Sequence, residues 1–183
     1  FIENVHNKSI FKHQLSGKKI SYNNIIDVDS GFKCLNEFSE PSCVIVKHTN
    51  PCGVSSSGKI NIAYKKALGS DKKSSFGGVV LLNRKINTKL AKELSKNFFE
   101  LVAAPDFEKE ALKLLKLKKN LILLKIPNYK NKPTDYRSTL FGDLYQTRDI
   151  RPINQKFIKG FRSSSESIRN PNSASMQIRN HLS

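Results

Sequence analysis

The feature that most constrains this chain is its alternation of short apolar runs with amphipathic stretches. Cys43-Val44-Ile45-Val46, Val79–Leu82, Leu101–Ala104 and residues 121–125 are each too short for a helix and are bounded by turn or capping residues. Runs of this kind read as strands buried on both faces. Helical patterns lie between them. Ile25, Val28, Phe32, Leu35 and Phe38 recur at three- and four-residue steps, with Asn23 or Asn24 available as a cap and Glu40-Pro41 as the stop. A second helix covers about 60–68 (INIAYKKAL). Asn87 or Thr88 caps a third, with Leu90, Ala91, Leu94 and Phe98 on one face. Asp106 caps a fourth, with Phe107, Ala111, Leu114 and Leu115 inward. This alternation predicts an α/β unit of three layers, a mostly parallel sheet with helices on both faces. Ligands bind beyond the carboxyl ends of the strands in such sheets. The loops after Val46, Leu82 and Ala104, and the turn before Val79, are therefore where chemistry is expected.

The pattern has limits at both ends. The first 22 residues read as extended segments with a bend at Gly17, and the alternation stops after about residue 126. Residues 127–153 are extended, aromatic and Arg-bearing. From Gly160 onward Ser, Arg and Asn dominate without a period, a composition that predicts disorder. The expected organisation is one unit over 1–153 and a low-order polar tail over 154–183. No apolar run approaches the ~20 residues of a membrane-spanning helix. Residue 1 is Phe and the one Met is Met176, so a piece of a longer chain is expected. The start, FIENVHNKSIF, lacks the basic and apolar segments of a signal peptide. Cys34, Cys43 and Cys52 are odd in number and widely spaced, which suits a reducing cytoplasm better than a disulfide framework.

The formal charge of +17 comes from 32 Lys+Arg against 15 Asp+Glu. It invites a basic nucleic-acid-binding module using the Lys faces and the Arg-rich tail as an alternative function. The excess is mostly Lys, however, and up to Asp135 the one Arg is Arg84. Lys89, Lys92, Lys96, Lys109, Lys113 and Lys116 fall on the polar faces of helices, where charge is ordinarily solvated. Attraction of small anionic substrates is a further use of such a field.

Four motifs bear on chemistry. Gly53-Val54-Ser55-Ser56-Ser57-Gly58-Lys59-Ile60 nearly matches the phosphate loop GxxxxGK[ST], but Ile60 replaces the hydroxyl that would hold Mg²⁺, which favours a polar surface loop. Pro51-Cys52 begins a zinc-deaminase pattern, yet Ser55 stands where the second thiolate should be and no H-x-E precedes it. Lys47-His48 closes a buried strand. A cation is costly inside such a strand, and His is suited to proton transfer near neutrality. Neighbours in a regular strand point to opposite faces, so the pair serves one site only if the strand breaks there; otherwise it is a structural edge. Ser74-Ser75-Phe76-Gly77-Gly78 is either a tight turn or a place where backbone N–H groups approach a ligand. Glu100 precedes a strand, which by itself reads as a surface position.

In order, SYNNIIDVDSG, CVIVKHTNPCGV, SSFGGVVLLNR, FELVAAPDFEKEAL and RSTLFGDLYQTRD resemble one family over about residues 17–153. It is the bacterial bifunctional purine biosynthesis family, which joins AICAR transformylase to IMP cyclohydrolase. The resemblance implies the first of two cytidine-deaminase-like units of the transformylase part, with the zinc site lost and the cyclohydrolase domain absent. It implies formyl transfer from 10-formyltetrahydrofolate to AICAR, with no metal required. Lys47 and His48 match the catalytic pair. Asn24, Gly77 and Glu100 match positions that contact the ribonucleotide, and by the same resemblance Phe76 is expected to line the pocket near the folate. The resemblance further implies a cytoplasmic homodimer with sites formed across its interface and no nucleic-acid or membrane partner. A lone first unit, without the second unit's ligand contacts, is expected to be inactive.

Overall fold

A computed structural model of the chain describes residues 10–126 and 134–147. The expected tail, 154–183, lies outside the described residues. The chain divides into two compact units, Phe1–Asn131 and Lys132–Ser183.

The first unit runs β1 (Gln14–Ser16), α1 (Tyr22–Leu35), β2 (Ser42–Lys47), β3 (Asn50–Ser56), α2 (Ile60–Ser70), β4 (Val79–Leu82), α3 (Thr88–Ser95), β5 (Leu101–Ala104), α4 (Lys109–Lys116) and β6 (Ile122–Lys125). Its six strands form one sheet in the order β1-β6-β5-β4-β2-β3. Successive side chains of a strand point to opposite faces, and here both faces are covered. Cys43, Ile45, Val80, Leu82, Val102, Ala104 and Leu123 pack under α2, α3 and α4. Val44, Val46, Val79, Leu81, Leu101, Ala103, Ile122 and Leu124 pack under α1. Each such Val, Leu or Ile contributes roughly 1.5–3 kcal/mol by leaving water. The apolar runs are unbroken because neither face of the sheet is solvated, and the expected three layers follow. On the α1 side the approach is close: a Cβ on Gly31 would run into the side chains of Leu81 and Val46.

The sheet is parallel at its centre and antiparallel at its flanks. β4, β5 and β6 are parallel, joined by α3 and α4 as crossovers. β2 runs antiparallel to both β3 and β4, and β1 antiparallel to β6. The reason is a strand that the pattern did not announce. Residues 50–56 look like a loop, with Pro51, Gly53, Ser55 and Ser56, yet they form β3. A two-residue turn at His48-Thr49 returns the chain beside β2, and a connection that short can only join antiparallel strands. Pro51 is tolerated because β3 is an edge strand. Gly53–Ser56, half of the phosphate-loop look-alike, is thereby committed to the ladder with β2.

Helix ends also shift. α1 is capped by Ser21, not by Asn23 or Asn24; Asn24 is the third residue of a reciprocal capping box. α1 ends at Leu35, so Phe38 lies past it. Asn87 caps α3 as expected, accepting from Leu90 N at 2.8 Å, and Glu108 Oε2 adds a bond from Thr88 N at 2.8 Å. Glu108, not Asp106, precedes α4, because Phe107 is used in a bridge with Ile86. Phe98 falls beyond α3 and is exposed instead of inward.

The second unit, among the described residues, is a hairpin of β7 (Thr134–Thr139) and β8 (Gly142–Thr147), with Tyr136 opposite Tyr145. Leu140 and Phe141 at its turn are almost fully exposed. No helix among the described residues is long and apolar enough to cross a membrane.

Candidate active site

Strand direction decides which residues meet. Val46 pairs with Val79, Val79 with Leu101, and Leu101 with Ile122. The carboxyl end of β2 therefore shares an edge with the amino ends of β4, β5 and β6. That edge collects Lys47, the turn before Val79 and Glu100. The loops after Leu82 and Ala104 lie on the opposite edge and do not join the other candidates; grouping them together assumed a β2 parallel to its neighbours. The same reversal brings Glu100, a surface position by strand polarity alone, beside the other candidates.

Lys47 is the last residue of β2, and its Nζ donates to the Phe76 carbonyl at 2.9 Å. The strand breaks immediately after it. His48 and Thr49 both have positive φ, 53° and 64°, as a tight hairpin turn requires. His48 is exposed at the tip. The tip rests on α1: Asp27 Oδ1 accepts from Thr49 N at 2.7 Å, and Ser30 Oγ donates to the Thr49 carbonyl at 2.6 Å.

The turn before β4 is fixed from several sides. Ser75, fully buried, donates to the Asp71 carbonyl at 2.7 Å. Ser74 donates to the Asp71 carboxylate through its hydroxyl and its N–H, which holds that carboxyl below its usual range. Gly77 has φ +72°, a conformation that favours glycine, and donates to the Phe98 carbonyl at 2.9 Å. Phe76 and Phe98 consequently face each other, ring centroids 5.0 Å apart and tilted by 35°. Both are more than half exposed, at 63% and 52%. Cys52 Sγ lies 3.7 Å from Ser75 Oγ and contacts the Ile45 carbonyl, so the Pro51-Cys52 pair is used in packing.

Glu100 N donates to the Gly78 carbonyl at 3.1 Å. Its carboxylate accepts from Asn24 Nδ2 at 3.0 Å and lies 3.6 Å from Lys18 Nζ. Asn24 is buried, and its Oδ1 accepts from both the N–H and the hydroxyl of Ser21. A chain of bonds thus runs from the helix cap to a partly exposed carboxylate. Beside it opens a cleft of about 310 Å³, lined by Lys18, Phe98, Phe99, Glu100, Lys118, Lys119, Asn120 and Leu121. Three ammonium groups and one carboxylate give it a net positive wall.

Lys18, Phe98, Lys118 and Asp27 were not singled out from the sequence. Lys18 and Lys118 are two lysines among many, and Phe98 carried a helix-face pattern. At the opposite edge Asp106 binds Lys125 and Lys85 at 2.8 and 3.3 Å. Among the described residues no three His, Cys, Asp or Glu gather as a metal-ligating group.

The family described as the AICARFT/IMPCHase bienzyme matches residues 1–178. The bifunctional purine biosynthesis protein PurH of Caldicellulosiruptor saccharolyticus is 47% identical over 146 residues, covering 79% of this chain and 28% of that protein. PurH of Thermoanaerobacter sp. is 47% identical over 146 residues, covering 80% and 29%. PurH of Clostridium botulinum is 50% identical over 114 residues, covering 62% and 23%. The chain spans less than a third of the length of these curated relatives. Among solved structures, a putative formate dehydrogenase accessory protein from Desulfotalea psychrophila is similar at a TM-score of 0.46 and 13% identity, covering 58% of this chain and 54% of that one.

Proposed function

The chain belongs to the AICARFT/IMPCHase bienzyme family, and from that premise we propose that the edge carrying Lys47, His48, Gly77 and Glu100 is part of a formyl-transfer site. The reaction moves the formyl group of 10-formyltetrahydrofolate to the 5-amino group of AICAR, in purine (IMP) biosynthesis. The chain is then one part of a longer bifunctional enzyme that also carries IMP cyclohydrolase. In this reading it is a deaminase-like unit without its zinc, inactive when alone, and the longer enzyme is a cytoplasmic homodimer acting on small molecules.

The observation that carries the reading is the meeting of Lys47, the Phe76-Gly77-Gly78 turn and the Asn24–Glu100 pair along one edge. Each has a fitting task. A carboxylate accepts hydrogen bonds from ribose hydroxyls, and Glu100 presents one beside a cationic cleft suited to a phosphate. Asn24, buried behind it, holds that carboxylate; a direct ligand contact requires its bond to Glu100 to exchange. The Gly77 backbone permits close approach of a ligand. Phe76 and Phe98 offer exposed ring faces to a flat heterocycle, the chemical character of the folate head.

The amine of AICAR is conjugated with its ring and carboxamide, so it attacks well only as it loses a proton. His48 takes that proton, directly or through the carboxamide. A bond forms between the amine nitrogen and the formyl carbon, and the carbonyl oxygen becomes an oxyanion. The bond from that carbon to the folate nitrogen then breaks, and the leaving nitrogen gains a proton. Lys47 stabilises the oxyanion or supplies the proton.

Calorimetric titration of the chain with AICAR tests the reading. Wild type should bind, and Lys47→Ala should weaken binding by about tenfold, the worth of a charge-assisted hydrogen bond of ~1.5 kcal/mol. Unchanged affinity in Lys47→Ala removes Lys47 from the site.

A further inference from the structure

The hairpin between β2 and β3 turns on residues that do not favour its conformation. Two-residue turns with positive φ at both centres ordinarily use Asn-Gly, Asp-Gly or Gly-Gly. Here the centres are His48 and Thr49. A β-branched residue at positive φ is a true outlier, and such conformations persist only where the surroundings over-determine them.

Those surroundings are on α1. Asp27 and Ser30 are three residues apart, hence on one helix face. Asp27 Oδ1 accepts from the Thr49 N–H at 2.7 Å, and Ser30 Oγ donates to the Thr49 carbonyl at 2.6 Å. Both polar groups of one residue's backbone are thus taken by side chains of another element. Asn50 Nδ2 and Thr49 Oγ1 donate to the His48 carbonyl at 2.9 and 2.6 Å. An Asn-Gly turn would close this hairpin with no such support. The arrangement instead keeps an imidazole at the tip and holds the backbone from outside.

We infer that Asp27 and Ser30 are positioning residues that clamp the His48-Thr49 turn, fixing the backbone from which the His48 imidazole projects beside Lys47. The inference rests on the reading of His48 as the base in the proposed site. Asp27 and Ser30 act through the turn and touch neither substrate.

The test compares Asp27→Ala, Asp27→Asn and Ser30→Ala in the full 183-residue chain. Hydrogen exchange of the Thr49 amide and the backbone couplings of His48 and Thr49 are read by NMR, and AICAR affinity by calorimetry. Asp27→Ala should speed Thr49 exchange about tenfold, the loss of one hydrogen bond of ~1.4 kcal/mol, and weaken AICAR binding several-fold, while amides of β4, β5 and β6 stay protected. Asp27→Asn keeps a carbonyl acceptor and should restore both readouts to within about twofold. Ser30→Ala should alter the His48 and Thr49 couplings in the same direction, and it decides the matter if Asp27→Ala does not fold. Unchanged Thr49 exchange in Asp27→Ala, or couplings unmoved by Ser30→Ala, overturns the clamp. Normal AICAR affinity with a released turn overturns its service to the site, and an Asp27→Asn as defective as Asp27→Ala assigns the effect to charge and overturns the hydrogen-bond account. A wild-type chain that binds no AICAR sinks the substrate reading, and the clamp is then judged on Thr49 exchange.

Discussion

Asp106 sits at the edge of the sheet opposite Lys47, between Lys125 and Lys85. The Lys125 bond first, then the Phe107 N–H and Lys85, hold its carboxyl down to about 2. A carboxyl with a lower pKa folded than unfolded adds stability that is present above its unfolded pKa. That stability is lost as pH falls from about 4 through about 2. Asp106→Asn should therefore lower the urea midpoint at pH 6, and the gap from wild type should narrow between pH 4 and pH 3. A gap of constant width across that range would show that the ion pairs do not act through the ionised carboxylate. At this scale the sequence was informative about residue types and poor about partners. Lys47, His48, Phe76 and Gly77 stand out because a cation, an imidazole, an aromatic and a glycine are unusual where a buried strand begins or ends. Lys18 and Asp27 do not stand out, since their partners Glu100 and Thr49 are distant in sequence and are reached only after the sheet forms.

α1 links stability to the site. Ser21 Oγ accepts from Asn24 N at 3.2 Å, and the Ser21 N–H and hydroxyl donate to Asn24 Oδ1 at 3.2 and 2.9 Å. The amide orientation set there is the one that donates to Glu100. Ser21→Ala should cost about 1 kcal/mol, as loss of an N-cap does, read as a lowered urea midpoint. It should also loosen the Asn24–Glu100 bond, visible as faster exchange of the Asn24 side-chain amide. A full cap loss with an unaltered Asn24 amide would separate the two roles. The elements were legible wherever burial imposed a pattern: four apolar runs are strands in all or most of their length, and four amphipathic stretches are helices. β3 was not legible because it is an edge strand. With one side unpaired it tolerates Pro51, and its partly exposed faces impose no apolar run. Missing β3 reversed the inferred polarity of β2 against β4, which grouped the loops after Leu82 and Ala104 with Lys47 although they lie on the opposite edge.

The whole chain carries +17, and its distribution separates the proposed function from the nucleic-acid alternative. Lys96 and Lys113 pair with Glu93 and Glu110 within their own helices. Lys65, Lys66, Lys89, Lys92, Lys109 and Lys116 are exposed on α2, α3 and α4, which pack together on one face of the sheet. The cluster at Lys47 and Glu100 instead lies on an edge. Like charges spread over a surface repel one another, and salt screens them within about 10 Å at 0.1 M. Raising ionic strength from about 50 to 200 mM should therefore raise the thermal midpoint modestly. AICAR carries a single phosphate, so its affinity should fall only a few-fold over that range. A face that neutralised 6–10 nucleic-acid phosphates would lose roughly 10³–10⁵ in affinity over the same interval. Parallel titrations with AICAR and an unrelated duplex, at both salt concentrations, distinguish the two. A submicromolar duplex affinity at 50 mM that collapses at 200 mM, with no AICAR binding at either, would transfer the function from the sheet edge to the lysine-covered helices.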